Sequence, residues 1–288
     1  GFRHVDKNTE IPAEVFAKIE PITPRAVLVL SSGKQIDLAE SHEQITEQNG
    51  MIVEVDSSGE IRYQRTDLQS EEIIYNKVIV PRSGEYFVTL CDGSKVWLNA
   101  DTEFEFPVNF SETIREVRLK GEAYFEVTKN KHIPFKVHTD ELDVKVLGTK
   151  FNFRNYQDDL EAKVCLLEGK VALSTQQKET ILHPDQQALL DKKTGKLLIS
   201  STKAAYSAEW TNDRLYFDEA LLPDIVKELE RSYNIKITIA DAALNSVRFY
   251  GNFRRREQSI REIMDVLSST DKMTYIIEGK NIVITLPE

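Results

Sequence analysis

The chain has 288 residues, and its 37 lysines and arginines against 47 aspartates and glutamates give a formal net charge of −10. This acidic balance disfavours binding to the phosphate backbone of nucleic acids. The longest apolar run, 26–30, is far shorter than the roughly 20 residues that span a bilayer. The length predicts about two domains, and two cysteines are too few for a disulfide scaffold.

The chain begins Gly1-Phe2-Arg3, without a methionine, a basic segment or the apolar segment of a signal peptide. We therefore expect a trimmed chain. The native N-terminus, with whatever targets or anchors the protein, is expected to be missing.

Apolar and charged residues alternate with period two through the first two hundred residues, most clearly at 103–106, 116–119 and 135–138. This alternation is typical of half-buried strands. Turn signals separate the strands at Ser32-Gly33, Ser58-Gly59, Asp92-Gly93, Lys120-Gly121, Glu168-Gly169 and Thr194-Gly195. The pattern predicts an all-β domain, a curved sandwich or a solenoid-like stack, with no helix longer than two turns between residues 81 and 200.

A weak internal repeat supports this prediction. Residues 26–38 (AVLVLSSGKQIDL) align with residues 86–98 (YFVTLCDGSKVWL), with Gly33 and Gly93 60 residues apart. Both segments are predicted to be strand-turn-strand units. Two copies are too few for a repeat array, so we interpret the match as one hairpin design used twice.

The C-terminal residues mix period two with period 3.6, which predicts a small α+β module of order β-α-β-β-α-β-β. The first helix has Pro223 in its first turn and ends at Asn234, and a capping box at Ser259-Ile260-Arg261-Glu262 begins the second. The predicted strands are 214–217, 235–239, 248–253, 273–278 and 281–286.

The sequence contains no phosphate-binding loop, zinc-protease motif or serine-nucleophile motif. Its five histidines, at positions 4, 42, 132, 138 and 183, have no metal-ligand spacing. We interpret Asp158-Asp159 as a loop tip rather than a catalytic pair. We therefore predict no enzyme activity, no metal and no cofactor. Cys91 and Cys165 are expected to be separate reduced thiols, with a disulfide as the alternative.

Four blocks occur in order along the all-β part: 80–86 (VPRSGEY), 90–100 (LCDGSKVWLNA), 121–127 (GEAYFEV) and 146–152 (VLGTKFN). They resemble the core motifs of the FecR-type transmembrane anti-sigma factors of the Bacteroidetes, and the resemblance continues through 167–171 and the C-terminal module. Ser83 and Cys91 stand where the family pattern has glycine and serine or proline. None of the blocks contains a nucleophile or an acid–base pair, so we interpret them as architectural.

The resemblance implies the periplasmic sensor region of a single-pass inner-membrane protein, anchored by a helix that is missing here. It implies a juxtamembrane-type segment at 1–25, a FecR-like all-β domain at 26–205 and a signalling module at 207–288. This module is similar to the short N-terminal domains of secretins and TonB-dependent transducers. The implied partner is the signalling domain of an outer-membrane TonB-dependent transducer. Regulated proteolysis near the membrane would then release an extracytoplasmic-function sigma factor, which the missing cytoplasmic segment binds.

We expect the partner to dock on the C-terminal module by adding a strand to a sheet edge. The predicted docking strand is 248–253, and the predicted partner-binding residues are Arg248, Tyr250, Gly251, Phe253, Arg254, Arg255 and Arg256. The three consecutive arginines would steer an acidic partner, although such a run is also typical of a solvated loop. In the alternative, this strand is internal and the edge lies at 235–239.

A carbohydrate-binding or hydrolytic β-domain is the competing class of function. Its sugar-stacking residues would be Trp97, Tyr86, Tyr124 and Phe125, and exposure separates the two hypotheses. A sugar platform needs coplanar rings on an open face, whereas a sensor buries them. A purely structural envelope protein is a third possibility, but it would not need the second module.

Overall fold

The computed structural model describes residues 19–39, 44–46, 52–55, 60–64 and 73–288. The chain divides into a larger unit, Ile22–Tyr216, and a smaller unit that contains Phe217–Glu288. Residues 1–18 of the segment predicted at 1–25 lie outside the described residues, as does the turn predicted at Ser58-Gly59. The domain limits 26–205 and 207–288 stay predictions. No helix in the described part of the chain is long and apolar enough to cross a membrane.

The larger unit is built from strands, followed by a 3₁₀ helix at Ala204–Asn212. No helix lies between residues 81 and 200, all of which the structure describes, so the predicted all-β fold is confirmed. The strands are β1 (Thr23–Pro24), β2 (Val27–Val29), β3 (Gln35–Asp37), β4 (Gln44–Thr46), β5 (Ile52–Val55), β6 (Ile61–Gln64), β7 (Tyr75–Val80), β8 (Gly84–Thr89), β9 (Lys95–Leu98), β10 (Thr102–Pro107), β11 (Arg115–Glu126), β12 (Phe135–His138), β13 (Asp143–Val146), β14 (Lys150–Asn155), β15 (Glu161–Glu168), β16 (Val171–Ser174), β17 (Glu179–Leu182), β18 (Gln186–Asp191) and β19 (Leu197–Ser201).

Strand β11 joins the two main sheet surfaces of this unit. Its first half pairs with β10 and β12, and its second half, from Gly121 onward, pairs with β9 and β14. One surface runs in the order β17-β16-β13-β12-β11-β10-β7-β2-β3, and the other continues from β14 through β15, β18 and β19. A strand shared between two sheets forms a corner of a sandwich, which agrees with the predicted curved sandwich.

The apolar faces of both surfaces enclose one core. The ring of Phe125 lies near its centre, with centroid distances of 4.8 Å to Phe151, 6.0 Å to Phe104 and 6.3 Å to Phe135. All four rings are fully buried. Phe125 belongs to β11, and the other three phenylalanines belong to β10, β12 and β14, which all pair with β11. The shared strand therefore also organises the packing of the core.

The internal repeat is a repeat of hairpin geometry. In the β2–β3 hairpin Val27 lies opposite Asp37, and in the β8–β9 hairpin Phe87 lies opposite Trp97. The strand register is therefore the same 60 residues apart. The turn glycines have φ of 87° and 86°, and each amide donates a 2.9 Å hydrogen bond to the carbonyl three residues earlier. A positive φ at this position favours glycine.

The C-terminal part has the predicted order β-α-β-β-α-β-β. It consists of β20 (Arg214–Leu221), α1 (Leu222–Tyr233), β21 (Lys236–Ile239), β22 (Arg248–Arg254), α2 (Ile260–Ser268), β23 (Thr274–Glu278) and β24 (Asn281–Thr285). Strand β20 pairs with β22, and a second sheet has the order β21-β24-β23. In that sheet β21 is parallel to β24, and β23 is antiparallel to it.

Both helices begin and end as the sequence predicts. Pro223 lies in the first turn of α1, and Asn234 ends that helix with a left-handed φ of 51°. At the start of α2, Ser259 Oγ accepts a 3.1 Å hydrogen bond from the amide of Glu262, which satisfies one of the free donors of the first turn. The buried side chains of both helices are mainly apolar, so each helix packs through one apolar face.

Replacing Gly121 with alanine is expected to lower the free energy of unfolding by about 2–4 kcal/mol. The residue has φ of 120°, and an added Cβ would lie 2.3 Å from Thr102 Oγ1 and 2.9 Å from Thr102 Cα. Gly33→Ala is the control, because Gly33 also has a positive φ but no heavy atom within 4 Å of the added Cβ. This control should lose about 1–2 kcal/mol. Urea unfolding followed by circular dichroism checks both values, and equal losses would contradict the argument from close contact.

Candidate functional site

Three of the four sequence blocks meet at a buried polar network around β11. Glu122 is 5% exposed, and its carboxylate accepts hydrogen bonds from Asn99 Nδ2 at 2.8 Å and Asn152 Nδ2 at 2.9 Å. Asn99 follows β9 and Asn152 lies in β14, the two strands that flank the second half of β11. One carboxylate therefore connects three neighbouring strands and has the partners that a buried acceptor needs.

Arg154 and Trp210 extend this network. Arg154 Nη1 lies 3.7 Å from Glu122 Oε1, and Arg154 Nε donates to Asp159 Oδ2 at 3.1 Å. From the 3₁₀ helix, Trp210 Nε1 donates to Asn152 Oδ1 at 3.0 Å. Asp158 and Asp159 lie in the turn between β14 and β15, as the loop-tip prediction has it, and the Asp159 carboxylate is bonded to Arg154.

A second network holds the turn of the β8–β9 hairpin. Arg115 is 3% exposed, and its Nη1 donates to Asp92 Oδ2 at 2.8 Å and to the carbonyl of Thr128 at 2.8 Å. Ser94 Oγ donates to the same Asp92 oxygen at 2.8 Å, and the guanidinium lies 5.4 Å from the ring centroid of Phe135. A paired and hydrogen-bonded buried charge of this kind fixes local geometry.

The sequence blocks are therefore held together by their own polar side chains. Sequence reasoning identified the blocks as architectural but singled out neither Glu122 nor Arg115. The available signal was an acidic residue inside the mainly apolar run 121–127. Within the described residues, no three histidine, cysteine, aspartate or glutamate side chains are placed to hold a metal ion.

The aromatic residues considered for sugar stacking form no flat exposed surface. Phe125 is fully buried and Tyr124 is 8% exposed, while Trp97 and Tyr86 are half-buried. The Trp97 ring is inclined by 41° to that of Tyr124. Burial, together with the nearby Glu126 carboxylate, raises the pKa of the Tyr124 phenol above its ordinary value. Exposure, the feature that separates the two hypotheses, therefore favours the sensor.

The two cysteines are separate free thiols, as the sequence analysis predicts. Cys91 is exposed beside the Asp92-Gly93 turn, and Cys165 is buried in β15. Burial raises the pKa of the Cys165 thiol.

The predicted partner-binding residues of the C-terminal module lie on two faces of β22. Arg248, Tyr250 and Arg254 are exposed, and Arg256 is exposed just after the strand. Arg255 is fully buried, so the prediction that it belongs to an exposed basic cluster is wrong. It lies in the turn that follows β22.

Two further predicted residues belong to the interior of the module. Phe253 is 3% exposed, and its ring centroid lies 6.3 Å from that of Phe217. A Cβ added to Gly251 would lie 2.4 Å from Phe253 Cε2. The absence of a side chain at Gly251 is thus explained by the packing of Phe253, and close approach of a partner is not needed to explain it.

Both strands considered for the docking edge lie at sheet edges in the described part of the chain. Strand β22 has β20 as its strand partner, and β21 ends the β21-β24-β23 sheet. Strand position alone therefore does not choose between the two alternatives.

The structure defines a two-unit protein, in which an all-β framework with buried polar networks precedes a small α+β module with two small sheets. The sequence model of the FecR protein family matches residues 77–172, and that of the FecR C-terminal domain matches residues 214–284. A 1.65 Å structure of a protein from Parabacteroides distasonis ATCC 8503, assigned as an anti-sigma factor, is 30% identical with a TM-score of 0.69. The match covers 74% of this chain and 99% of that one. A 2.50 Å structure under the same description gives the same identity and TM-score and is covered over 100% of its length.

The chain therefore belongs to the FecR family of anti-sigma factors. A search of curated proteins gave no match.

The variant Glu122→Gln is expected to lower the free energy of unfolding by about 1–3 kcal/mol. One carboxylate oxygen becomes an NH₂ group, which then faces the NH₂ donor of Asn99 or Asn152. Glu103→Gln is the control, because that side chain is 42% exposed and lies 3.8 Å from Lys77. The control should change the free energy by less than about 1 kcal/mol. Similar losses in the two variants, measured by urea unfolding, would show that the network does not stabilise the fold.

Thiol titration of the native protein is expected to give one fast-reacting thiol, Cys91. Cys165 should react only after unfolding, because it is buried whereas Cys91 is exposed. Burial raises the pKa of both thiols, so accessibility separates their reactivity. Ellman's reagent without and with denaturant measures both classes, and Cys91→Ser should remove the fast class. Two fast thiols in the native protein would contradict the burial of Cys165.

Proposed function

We propose that this chain is the periplasmic sensor region of a membrane-anchored anti-sigma factor. In this proposal it docks the signalling domain of an outer-membrane TonB-dependent transducer and relays the signal to an extracytoplasmic-function sigma factor. The observation that carries the proposal is that the two FecR-type sequence matches, 77–172 and 214–284, occur together in one chain. Family membership assigns the chain to anti-sigma regulation, and the proposal adds the location, the partner and the route of the signal.

The proposed mechanism depends on binding and involves no catalysis by this chain. The polar groups at the centre of the all-β unit, Glu122 and Arg115, are bonded to other side chains and backbone groups of the unit. Closed networks of this kind support a framework role. The sigma factor is bound by a cytoplasmic segment across the membrane, and regulated proteolysis near the membrane releases it once the sensor is engaged.

We assign the docking role to the C-terminal module and name its exposed basic surface, Arg248, Tyr250, Arg254 and Arg256, the arginine face. Tyr250 is 66% exposed. The ion pair of Arg254 with Glu257 spans 3.6 Å between two exposed side chains, so it competes weakly with a partner. In a chain of net charge −10, a basic surface favours an acidic partner patch.

The double variant Arg254→Ala/Arg256→Ala is expected to slow association with the transducer's purified signalling domain by about 3–10-fold at low salt and to flatten its salt dependence. Exposed charges act mainly on the rate of encounter. Biolayer interferometry across a salt series measures this rate. Lys236→Ala is the control, because Lys236 is an exposed cation on β21 of the same module.

An equal effect of the Lys236 variant would contradict steering by the arginine face. A transducer domain that does not bind the unmodified chain at all would contradict the proposed function.

A further inference from the structure

A side chain from α1 engages one backbone donor on the free edge of strand β21. On the side that faces β24, the amides of Lys236 and Ala240 donate to the carbonyls of Lys280 and Ile284, at 2.9 Å each. Because successive amides of a strand point to opposite sides, the amide of Ile237 points away from the sheet. This outward amide donates to Glu230 Oε2 at 3.2 Å. The carboxylate from α1 thus occupies a donor that an added strand would need, which is one way in which proteins protect sheet edges.

The β20–β22 sheet is also protected. Glu219 has φ of 48°, which interrupts the extended backbone of β20, and its carbonyl accepts from Arg248 Nη1 at 2.8 Å. On β22, the carbonyl of Arg248 accepts from Lys272 Nζ at 3.0 Å, and the amide of Arg254 donates to Gln258 Oε1 at 2.7 Å. Backbone groups at both ends of β22 are therefore already engaged by side chains.

Strand β23 has no comparable protection within the part of the chain that the structure describes. It pairs with β24 on one side and ends the sheet on the other. The described residues place no side chain or further backbone group in hydrogen-bond contact with its backbone. The strand is five residues long, without proline, and Glu278 is its only charged residue.

The exposed face beside this edge is apolar at its centre. Ile276 is 61% exposed, and Val283, directly opposite it on β24, is 39% exposed. Thr238 continues this row onto β21. An unprotected edge with an exposed aliphatic residue is a hazard that natural sheets avoid unless something covers it.

We propose that the partner adds an extended strand to β23, so that the three-stranded sheet becomes four-stranded. The inference rests on the proposed function, because it specifies where the module meets the transducer's signalling domain. Backbone pairing supplies affinity, and the side chains that face Ile276 and Glu278 supply selection. The fitting strand has an aliphatic or β-branched residue opposite Ile276 and a lysine or arginine opposite Glu278, since opposite charges stabilise cross-strand pairs.

The arginine face and β23 contribute differently to binding, and the difference is measurable. Charge on the arginine face acts before contact and governs the association rate. Strand pairing on β23 forms only in the complex and governs the dissociation rate. A variant of β23 is therefore expected to dissociate faster while its association rate stays close to that of the unmodified chain.

The variant Ile276→Lys tests the inference. Because Ile276 is 61% exposed, the substitution leaves the core intact, and circular dichroism verifies this. With the purified signalling domain of a TonB-dependent transducer from the same organism as the probe, Kd is expected to rise about 10-fold or more through faster dissociation. The control is Leu198→Lys, which carries the same new charge on the edge strand β19 of the larger unit, where the residue is 54% exposed.

Hydrogen exchange supplies a second measurement that needs no substitution. On binding, amides of β23 should gain protection, while those of β21 should not. Loss of binding in the Ile276 variant alone, with this protection, supports the inference. Binding that Ile276→Lys leaves unchanged overturns it and leaves the proposed function in place. A change of oligomeric state in the Ile276 variant would identify a second copy as the occupant and also overturn it. Absence of binding by the unmodified chain overturns the proposed function, and the inference with it.

Discussion

The close approach of Gly121 to Thr102 is the contact on which the rest of the larger unit depends. At this point β11 passes from the surface formed with β10 and β12 to the surface formed with β9 and β14. A side chain at position 121 would overlap Thr102, and the φ of 120° is open to glycine alone at low cost. Because the strand turns here without interruption, the apolar faces of both surfaces close on one core, with Phe125 at its centre.

The next residue along the strand shows how this corner is fixed. Glu122 enters the interior immediately after the turn, and a buried carboxylate is costly unless donors surround it. Asn99 and Asn152 supply those donors from the two flanking strands, so the charge is tolerated only when all three strands are in register. The polar residues of the family motif therefore select one strand pairing. This accounts for the specific sequence pattern of the motif in structural terms.

Local patterns in the sequence were sufficient to predict most helices and strands, but they did not predict the long-range contacts between them. The capping box at Ser259, the end of α1 at Asn234 and the shared hairpin register follow from interactions within a few residues. The burial of Arg255, in the turn after β22, depends on tertiary packing, which composition does not reveal. The carboxylate of Glu230 on the β21 edge joins two elements through tertiary structure. For the same reason, the sequence analysis considered the edges at 248–253 and 235–239, whose backbone groups side chains engage, and did not consider β23.

The contrast between the two units has a consequence for recognition. In the all-β unit, the buried polar side chains of Glu122 and Arg115 bond to other groups of the unit and hold its strands together. In the proposed complex the backbone of β23 is the binding element, and backbone pairing is largely independent of sequence. Affinity in such a contact comes from groups that every strand possesses, and selection rests on the few side chains beside it, Ile276 and Glu278, together with the distant charges of the arginine face. A module of this design changes partner through a small number of surface substitutions while its core and its fold stay the same.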